Sequence, residues 1–217
     1  MRSKYLIFLS LFVIASMALG ACQPAAPAEP EPKAIRLNFG PGDVPTIDPA
    51  LATDTSSTQI NVLTMVGLTR QDEVTTETKP GMATAWTISD DGLTYTFKLR
   101  DDVTWVKYDG TQVVQVTDCE GNPRKVTAHD FKYGILRTLA PATASDYAYV
   151  LAFALKGAAD YNAGTTEDPE TVGVKAVDDY TLELTFNEPA AYNAQIAGMW
   201  VCLLYTSDAA DDLLCVD

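Results

Sequence analysis

Histidine and paired cysteines are scarce in this sequence, which argues against a metal centre. The 217 residues contain one histidine, His129, and four cysteines, none of them in a C-x-x-C pair. Structural zinc sites are built from about four clustered cysteine or histidine ligands. We therefore expect no metal site, and nothing in the sequence calls for a cofactor.

Motifs for catalysis are missing as well. The sequence has no G-x-S-x-G element and no phosphate-binding loop, whereas catalysis needs a nucleophile or a pair of titrating groups held in a cleft. His129 falls in the first turn of a predicted helix, where we expect it to be exposed. The pairs Asp90-Asp91 and Asp178-Asp179 suit hairpin turns, because Asp side chains bond to nearby backbone there. The sequence predicts a protein that is not an enzyme.

Basic residues are few in this sequence. The chain has 15 Lys and Arg residues against 29 Asp and Glu residues, and its formal net charge is -14. Nucleic acids and anionic lipid surfaces attract basic proteins rather than acidic ones. We expect no nucleic-acid partner, no electrostatic adsorption to membranes, and a monomer.

Long apolar runs are absent except near the N-terminus. Residues 5–19 form one such run, which follows two basic residues and is too short to span a bilayer comfortably. The letters LGAC follow at residues 19–22. This pattern is typical of an export signal, and the cysteine resembles that of a bacterial lipobox. We expect residues 1–21 to be a lipoprotein signal peptide and Cys22 to carry the lipid. In the alternative, a plain signal peptide, Cys22 is incidental.

Residues 22–33 alternate between proline and alanine after the cysteine. Such a segment forms neither helix nor sheet and has nothing to bury. We expect a semi-extended tether of about 3 Å per residue. Its role would be to hold a folded body off the membrane, to which the lipid is the only attachment.

Alternating apolar residues predict the strands. Residues 34–39 predict one strand, and residues 86–100 and 172–186 predict two hairpins with Asp-Gly and Asp-Asp turns. Residues 108–126 are expected to form a long polar loop. The pattern contains hairpins rather than regular β-α-β alternation, so it predicts a mixed α/β (α+β) fold.

Helical spacing of apolar residues predicts three helices. The first should begin at Ser57 or Thr58, and the second at Thr127 with Asp130 as its capping-box partner. The third should span residues 147–155. The apolar stripes that should face the core consist of Ile60, Leu63 and Val66 in the first helix, and Phe131, Ile135 and Leu136 in the second.

Short sequence blocks in a fixed order cover nearly all of residues 34–189. They are RLNFGPG at 36–42, IDP at 47–49, VGLTR at 66–70, PGMATAW at 80–86, SDDGLTYTFKLR at 89–100, VTW at 103–105, DGT at 109–111, VTAHDF at 126–131, ASDY at 144–147, VGVKAVDDYTLEL at 172–184 and EP at 188–189. This order resembles the family 5 extracellular solute-binding proteins, which include the peptide and nickel receptors of ABC importers.

The resemblance implies the N-terminal part of a two-lobed, periplasmic-binding-protein-like (type II) fold whose second lobe is missing. It assigns residues 34–66 to the start of lobe one, residues 67–190 to an accessory α+β domain with hairpins, and residues 191–200 to the return toward lobe one. Chains of this family are commonly more than twice as long, so we expect a fragment.

The resemblance also implies a function and a site. The protein would be an extracytoplasmic, lipid-anchored receptor, periplasmic or on the outer cell surface, that delivers peptides or other small solutes to ABC permease subunits. In oligopeptide-binding relatives, the segment after the Asp-Pro loop lies along the ligand backbone, which maps onto Thr53, Asp54 and Thr55. The tyrosine of the ASDY block, Tyr147, would reach the same cleft, although packing on the core is equally open to it. The ligand anchors lie mostly in the missing lobe, so a peptide, a nickel complex or an oligosaccharide all remain open.

Two segments depart from the family pattern. Residues 112–125, which include Cys119, are an insertion that we expect to form a surface excursion. Residues 201–217 are unlike the apolar, proline-rich continuation of the family, and we expect them to be a non-native tail. The alternative function is a lipoprotein that uses this fold for signalling or adhesion without transport.

Overall fold

The computed structural model describes residues 36–39 and 42–202. The chain divides into two units, residues 1–38 and 39–217. Residues 36–39 have no regular secondary structure, so the strand predicted over residues 34–39 is wrong in its described part. A strand requires a hydrogen-bonded neighbour, and no described β-ladder contains these residues.

The described part of the second unit contains five α-helices and eight strands. In chain order they are α1 (Thr55–Thr64), β1 (Thr69–Gln71), β2 (Thr78–Pro80), β3 (Ala83–Ile88), β4 (Thr94–Leu99), β5 (Val106–Tyr108), β6 (Val113–Gln115), α2 (Ala128–Leu139), α3 (Ala148–Ala154), α4 (Ala158–Asn162), β7 (Val174–Asp178), β8 (Thr181–Thr185) and α5 (Asn193–Ile196). Short 3₁₀ turns occur at Pro141–Thr143, Pro169–Thr171 and Trp200–Cys202.

A four-stranded antiparallel sheet in the order β3-β4-β8-β7 organises this unit. Both predicted hairpins are confirmed, as β3–β4 and as β7–β8. They join through the central strands β4 and β8, where Phe97 lies opposite Leu182 and Tyr95 lies opposite Leu184. All four of these side chains are buried, so the sheet presents an apolar face to the core.

Helix α2 packs against β7 and β8 and supplies much of the core. Its residues Phe131, Ile135 and Leu139 are fully buried, and the predicted Leu136 is half-buried against the core. The helix begins as predicted, because the Thr127 N–H donates to Asp130 Oδ2 at 2.7 Å. A sheet covered by helices from other parts of the chain confirms the mixed α/β (α+β) prediction.

Helix α3 closely follows the prediction for residues 147–155. Gly157, just beyond it, has φ +69, a conformation that L side chains rarely adopt. A methyl group there would meet the Thr171 carbonyl oxygen. The glycine therefore allows the chain to turn closely against that segment.

Helix α1 begins elsewhere than predicted, and of its predicted apolar stripe Ile60 is half-buried while Leu63 and Val66 are exposed. Its N-cap is Asp54, not Ser57 or Thr58, since Asp54 Oδ1 accepts from the Ser57 N–H at 2.9 Å. The polar residues Ser57 and Asn61 are fully buried. The large exposed side chains of the helix region are Val62, Leu63 and Val66. Helical spacing identifies a stripe, but only the packing decides whether that stripe is covered.

The insertion over residues 112–125 folds back on the chain. Strand β6 pairs with β5. The prediction that residues 108–126 form a loop without strands is therefore wrong. At its end, Arg124 lies over the Trp105 ring, 5.0 Å from the centroid, and donates to Asp130 at 2.6 Å. These contacts tie the insertion to the N-terminus of α2.

Several predictions concern residues beyond those that the structure describes. The signal peptide (residues 1–21), lipidated Cys22 and the tether (residues 22–33) lie outside the described ranges, as does most of the tail (residues 201–217). Residues 201 and 202 are the exceptions, and Cys202 is buried in the core. No helix in the described ranges is long and apolar enough to cross a bilayer.

Candidate functional site

The segment that leads into α1 carries three predicted ligand-binding residues. Thr53 and Thr55 are exposed, and Asp54 has an extended backbone with φ -102 and ψ 159. Hydrogen bonding by Ser57 lowers the pKa of the Asp54 carboxyl, whose side chain is occupied in capping the helix. Within the described residues, the Thr53 backbone N–H and C=O have no hydrogen-bond partner. The Asp54 carboxylate is therefore engaged within the fold, in contrast to the Thr53 main chain.

The Asp-Pro loop just before this segment is tied to α2. Both oxygens of Asp48 accept from the guanidinium of Arg137, at 3.0 Å and 2.7 Å. Asp48 Oδ1 also accepts from the Ala50 N–H at 2.9 Å. A bidentate pair of this kind fixes direction as well as distance, so it holds the loop in a defined position on the helix.

Tyr147 occupies the N-cap position of α3. Its ring is half-buried and packs against the core. The Trp200 ring meets it edge-to-face with centroids 5.3 Å apart, and the Tyr149 ring lies 5.8 Å away. The ring is thus held by packing.

Trp200 was not among the site residues predicted from the sequence, yet it contacts one of them. The 3₁₀ turn that it begins contacts α1, and its ring contacts Tyr147. Trp200 thus adjoins Tyr147, and no hydrogen bond or ring contact among the described residues joins either of them to residues 53–55. Its aromatic character was the available signal in the sequence.

A cleft of about 660 Å³ lies beside Trp200. Its walls come from the end of α1, from strand β1 and from residues 192–200. None of the predicted residues Thr53, Asp54, Thr55 and Tyr147 lines it. The cleft is thus separate from the predicted ligand-binding positions, although Trp200, one of its lining residues, contacts Tyr147.

Close backbone packing forms one wall of this cleft. The Thr69 hydroxyl donates to the Ala194 carbonyl oxygen at 2.5 Å. A methyl group on Gly198 would lie 2.6 Å from the Thr69 carbonyl oxygen. Only the absence of a side chain at residue 198 lets this return segment lie against β1.

Titratable groups form no catalytic arrangement in the described ranges. His129 is exposed, as predicted, and its Nε2 lies 3.7 Å from an Asp179 oxygen. Burial raises the pKa of the Cys202 thiol to about 12, so this group is not a ready nucleophile. The described residues contain no cluster of three or more histidine, cysteine or acidic side chains suited to a metal ion.

Comparison with known proteins identifies the family that the chain resembles. Residues 77–212 match the family described as bacterial extracellular solute-binding proteins, family 5 Middle. The oligopeptide-binding protein AmiA of Streptococcus pneumoniae is 35% identical over 183 residues, which are 84% of this chain and 26% of that protein. The chain thus spans about a quarter of the length of this relative.

Solved structures agree in fold. The substrate-binding domain of an oligopeptide ABC transporter from Bacillus anthracis superposes with a TM-score of 0.65 at 34% identity, over 78% of this chain and 29% of that one. The peptide-bound OppA of Listeria monocytogenes gives a TM-score of 0.64 at 31% identity, over 78% of this chain and 30% of that one. The fold described here therefore corresponds to part of such proteins.

The ordered sequence blocks, the sheet with its covering helices and these matches agree with one another. The chain belongs to the bacterial extracellular solute-binding proteins of family 5, a family of non-enzymatic binding proteins.

Proposed function

We propose that this chain is part of a lipid-anchored, extracytoplasmic receptor that delivers peptides to the permease subunits of an ABC importer. The observation that carries the proposal is the match over 78% of the chain, at 31% identity, to an OppA bound to peptide. The oligopeptide-binding name of the Streptococcus pneumoniae relative supports the same ligand class.

The geometry at residues 53–55 supports binding through the ligand main chain. The backbone groups of Thr53, which have no hydrogen-bond partner among the described residues, and the extended Asp54 can pair with a peptide as an added strand. Hydrogen bonds to the ligand main chain give affinity without contacts to the ligand side chains. This mode of binding therefore suits broad peptide selectivity. Thr55 then begins α1 and ends the extended stretch.

Tyr147 would supply a second contact to the ligand. Trp200 and Tyr149 restrain its ring, and a restrained ring loses little conformational freedom on binding. Its hydroxyl can donate to or accept from a peptide group. In the complete receptor a second lobe would cover the ligand, and closure would present the liganded form to the permease.

The test uses a completed protein, defined as residues 1–202 of this chain followed by the part of the Bacillus anthracis relative beyond its matched segment. Calorimetry should detect binding of a short peptide, and Tyr147→Ala should weaken it by about tenfold, which corresponds to one lost hydrogen bond or ring contact. Tyr133→Ala, which changes an exposed tyrosine on α2, is the matched control. Equal affinity of the two variants would return Tyr147 to a packing role.

The anchor is tested separately. Cys22→Ala should move the protein from the membrane fraction to the soluble fraction, or block its processing, because the thiol is the expected attachment point of the lipid. A variant that stays in the membrane fraction and is processed normally would rule out lipidation at this residue.

A further inference from the structure

The segment that leads into α1 is exposed at Thr53 and yet seated on the fold. Ala50 and Ala52 are buried, whereas Leu51 and Thr53 are exposed. The two alanines therefore anchor the segment, while the residues that follow each of them remain in contact with water. Among the described residues, the backbone N–H and C=O of Thr53 have no hydrogen-bond partner. This main chain is thus open to a partner although the chain just before it is fixed.

Aspartate residues hold both ends of this segment. The Asp48 carbonyl oxygen accepts from the Ala52 N–H at 2.9 Å, and Asp48 Oδ1 accepts from the Ala50 N–H at 2.9 Å. On the other side of Thr53, Asp54 caps α1. A segment that is fixed at each end has little conformational freedom left to lose when a ligand binds. The position of Asp48 therefore sets the position of the Thr53 main chain.

Arg137 connects Asp48 to the core of the fold. Its guanidinium donates to both carboxylate oxygens of Asp48, at 3.0 Å and 2.7 Å, and both side chains are mostly shielded from water. Arg137 belongs to α2, whose residues Ile135 and Leu139 are fully buried. Because two parallel hydrogen bonds fix direction as well as distance, the position of Asp48 follows that of the core helix.

We propose that Arg137 is a positioning residue for peptide binding, which acts through Asp48 by holding the Thr53 main chain in place for the ligand. The proposal rests on the function proposed above and adds a determinant of affinity that lies outside residues 53–55. Ordering the backbone of one residue has a cost that corresponds to about tenfold in affinity. A Thr53 main chain that is ordered before the peptide arrives spares the complex this loss.

The first experiment follows hydrogen exchange in the 217-residue chain. Arg137→Leu should speed exchange of the Ala50 and Ala52 amides by about tenfold or more, because the Asp48 groups that accept from them lose their attachment to α2. Arg100→Leu is the matched control, since it removes the same two-pronged contact from an exposed pair. The control should leave both exchange rates unchanged. This measurement requires no ligand.

The second experiment measures affinity by calorimetry, with the completed protein defined above and tetra-alanine as the ligand. Arg137→Leu and the milder Asp48→Asn should each weaken binding by about tenfold, because each variant has to order the Thr53 backbone when it binds. The controls Arg100→Leu and Asp102→Asn should bind as the unsubstituted protein does. Working well below the Tm of every variant keeps all of them folded, so a loss of stability alone leaves the affinity unchanged.

A modified ligand separates positioning from a general structural role. N-methylation of one tetra-alanine amide at a time removes a donor that is able to pair with the Thr53 carbonyl oxygen. At one position it should weaken binding to the unsubstituted protein by about tenfold and to Asp48→Asn by no more than about twofold. The reason is that, in the variant, the cost of ordering Thr53 offsets the gain from this hydrogen bond. A purely structural role would leave the two factors equal.

Three results would overturn the inference alone. Unchanged exchange of the Ala50 and Ala52 amides in Arg137→Leu would show that the loop keeps its position without Arg137. Tetra-alanine affinities equal to those of the controls would show that the held loop does not serve the ligand, and so would equal effects of N-methylation in Asp48→Asn and the unsubstituted protein. Failure of the unsubstituted completed protein to bind tetra-alanine would instead refute the proposed function, and the inference with it.

Discussion

The Asp48–Arg137 pair should contribute measurably to stability because it is shielded from water. Arg137 makes two hydrogen bonds to Asp48, at 3.0 Å and 2.7 Å, across 89 positions of sequence. The two side chains are only 21% and 11% exposed. The pair ties the loop before Thr53 to helix α2, so it also positions a predicted ligand-binding segment.

The chain contains a matched pair that isolates the effect of burial. Arg100 makes the same two-pronged contact to Asp102, at 2.6 Å and 2.8 Å. These side chains are 46% and 63% exposed and lie close in sequence. Exposed pairs contribute about 0–1 kcal/mol, whereas hydrogen bonds to charged groups contribute about 1.5–3 kcal/mol when partly buried. We expect a coupling energy of about 2 kcal/mol for Asp48–Arg137 and below about 1 kcal/mol for Arg100–Asp102.

The assay is a pair of double-mutant cycles read by urea unfolding. Asp48→Asn retains an acceptor for the Ala50 N–H, which Asp48 Oδ1 accepts at 2.9 Å, so it removes the charge with little else. Arg137→Leu removes the partner and retains part of its apolar stem. The cycle subtracts the separate effect of each substitution and leaves the interaction between the two side chains.

A coupling energy for Asp48–Arg137 below about 0.5 kcal/mol, or one equal to that of Arg100–Asp102, would show that burial of the pair adds nothing. The cost of desolvating both groups would then cancel their attraction. Raising the salt concentration should weaken the exposed pair more than the shielded one, which gives an independent check.

Three further predictions concern packing, pH and binding. Gly198→Ala should destabilise the chain by about 1–3 kcal/mol, because the new methyl group would overlap the Thr69 carbonyl oxygen. Urea unfolding measures this loss of stability. The control Gly42→Ala, which has open space around residue 42, should leave the free energy of unfolding unchanged. Burial raises the pKa of Cys202 from 9.0 to about 12, so its contribution to stability is complete below pH 9 and is lost as the pH rises toward 12. Cys202→Ala should therefore flatten the fall of the unfolding free energy in that window by up to about 1.4 kcal/mol per pH unit, and an unchanged slope contradicts this. The 217-residue chain alone should bind short peptides more weakly than micromolar, which requires about 8 kcal/mol; calorimetric detection of micromolar binding would refute the need for a second lobe.

The elements that the sequence predicted well depend on neighbours close along the chain. The β3–β4 hairpin turns at Gly92, which has φ +75, and a glycine after aspartate is a strong local turn signal. The capping of α2 joins Thr127 to Asp130, three positions apart. The spacing of apolar residues, every second residue in a strand or every third to fourth in a helix, is likewise a local pattern. It therefore predicted both hairpins and most of the buried stripe of α2. The resemblance to the family rests on the same short blocks.

Other features were decided only by tertiary structure, because they join residues that are distant in sequence. The paired hydrogen bonds between Asp48 and Arg137 form only when separate elements pack together. The same holds for the ring contact between Tyr147 and Trp200. The orientation of α1 shows the same limit most clearly. Its spacing defines a stripe at Leu63 and Val66, yet a spacing cannot say which element lies opposite, and the described fold covers Ser57 and Asn61 instead. The sequence by itself determined the family, the hairpins and the capped core helix, since these follow from local propensity and patterning. The tertiary structure decided which faces are buried, because burial depends on the surfaces that the rest of the fold supplies.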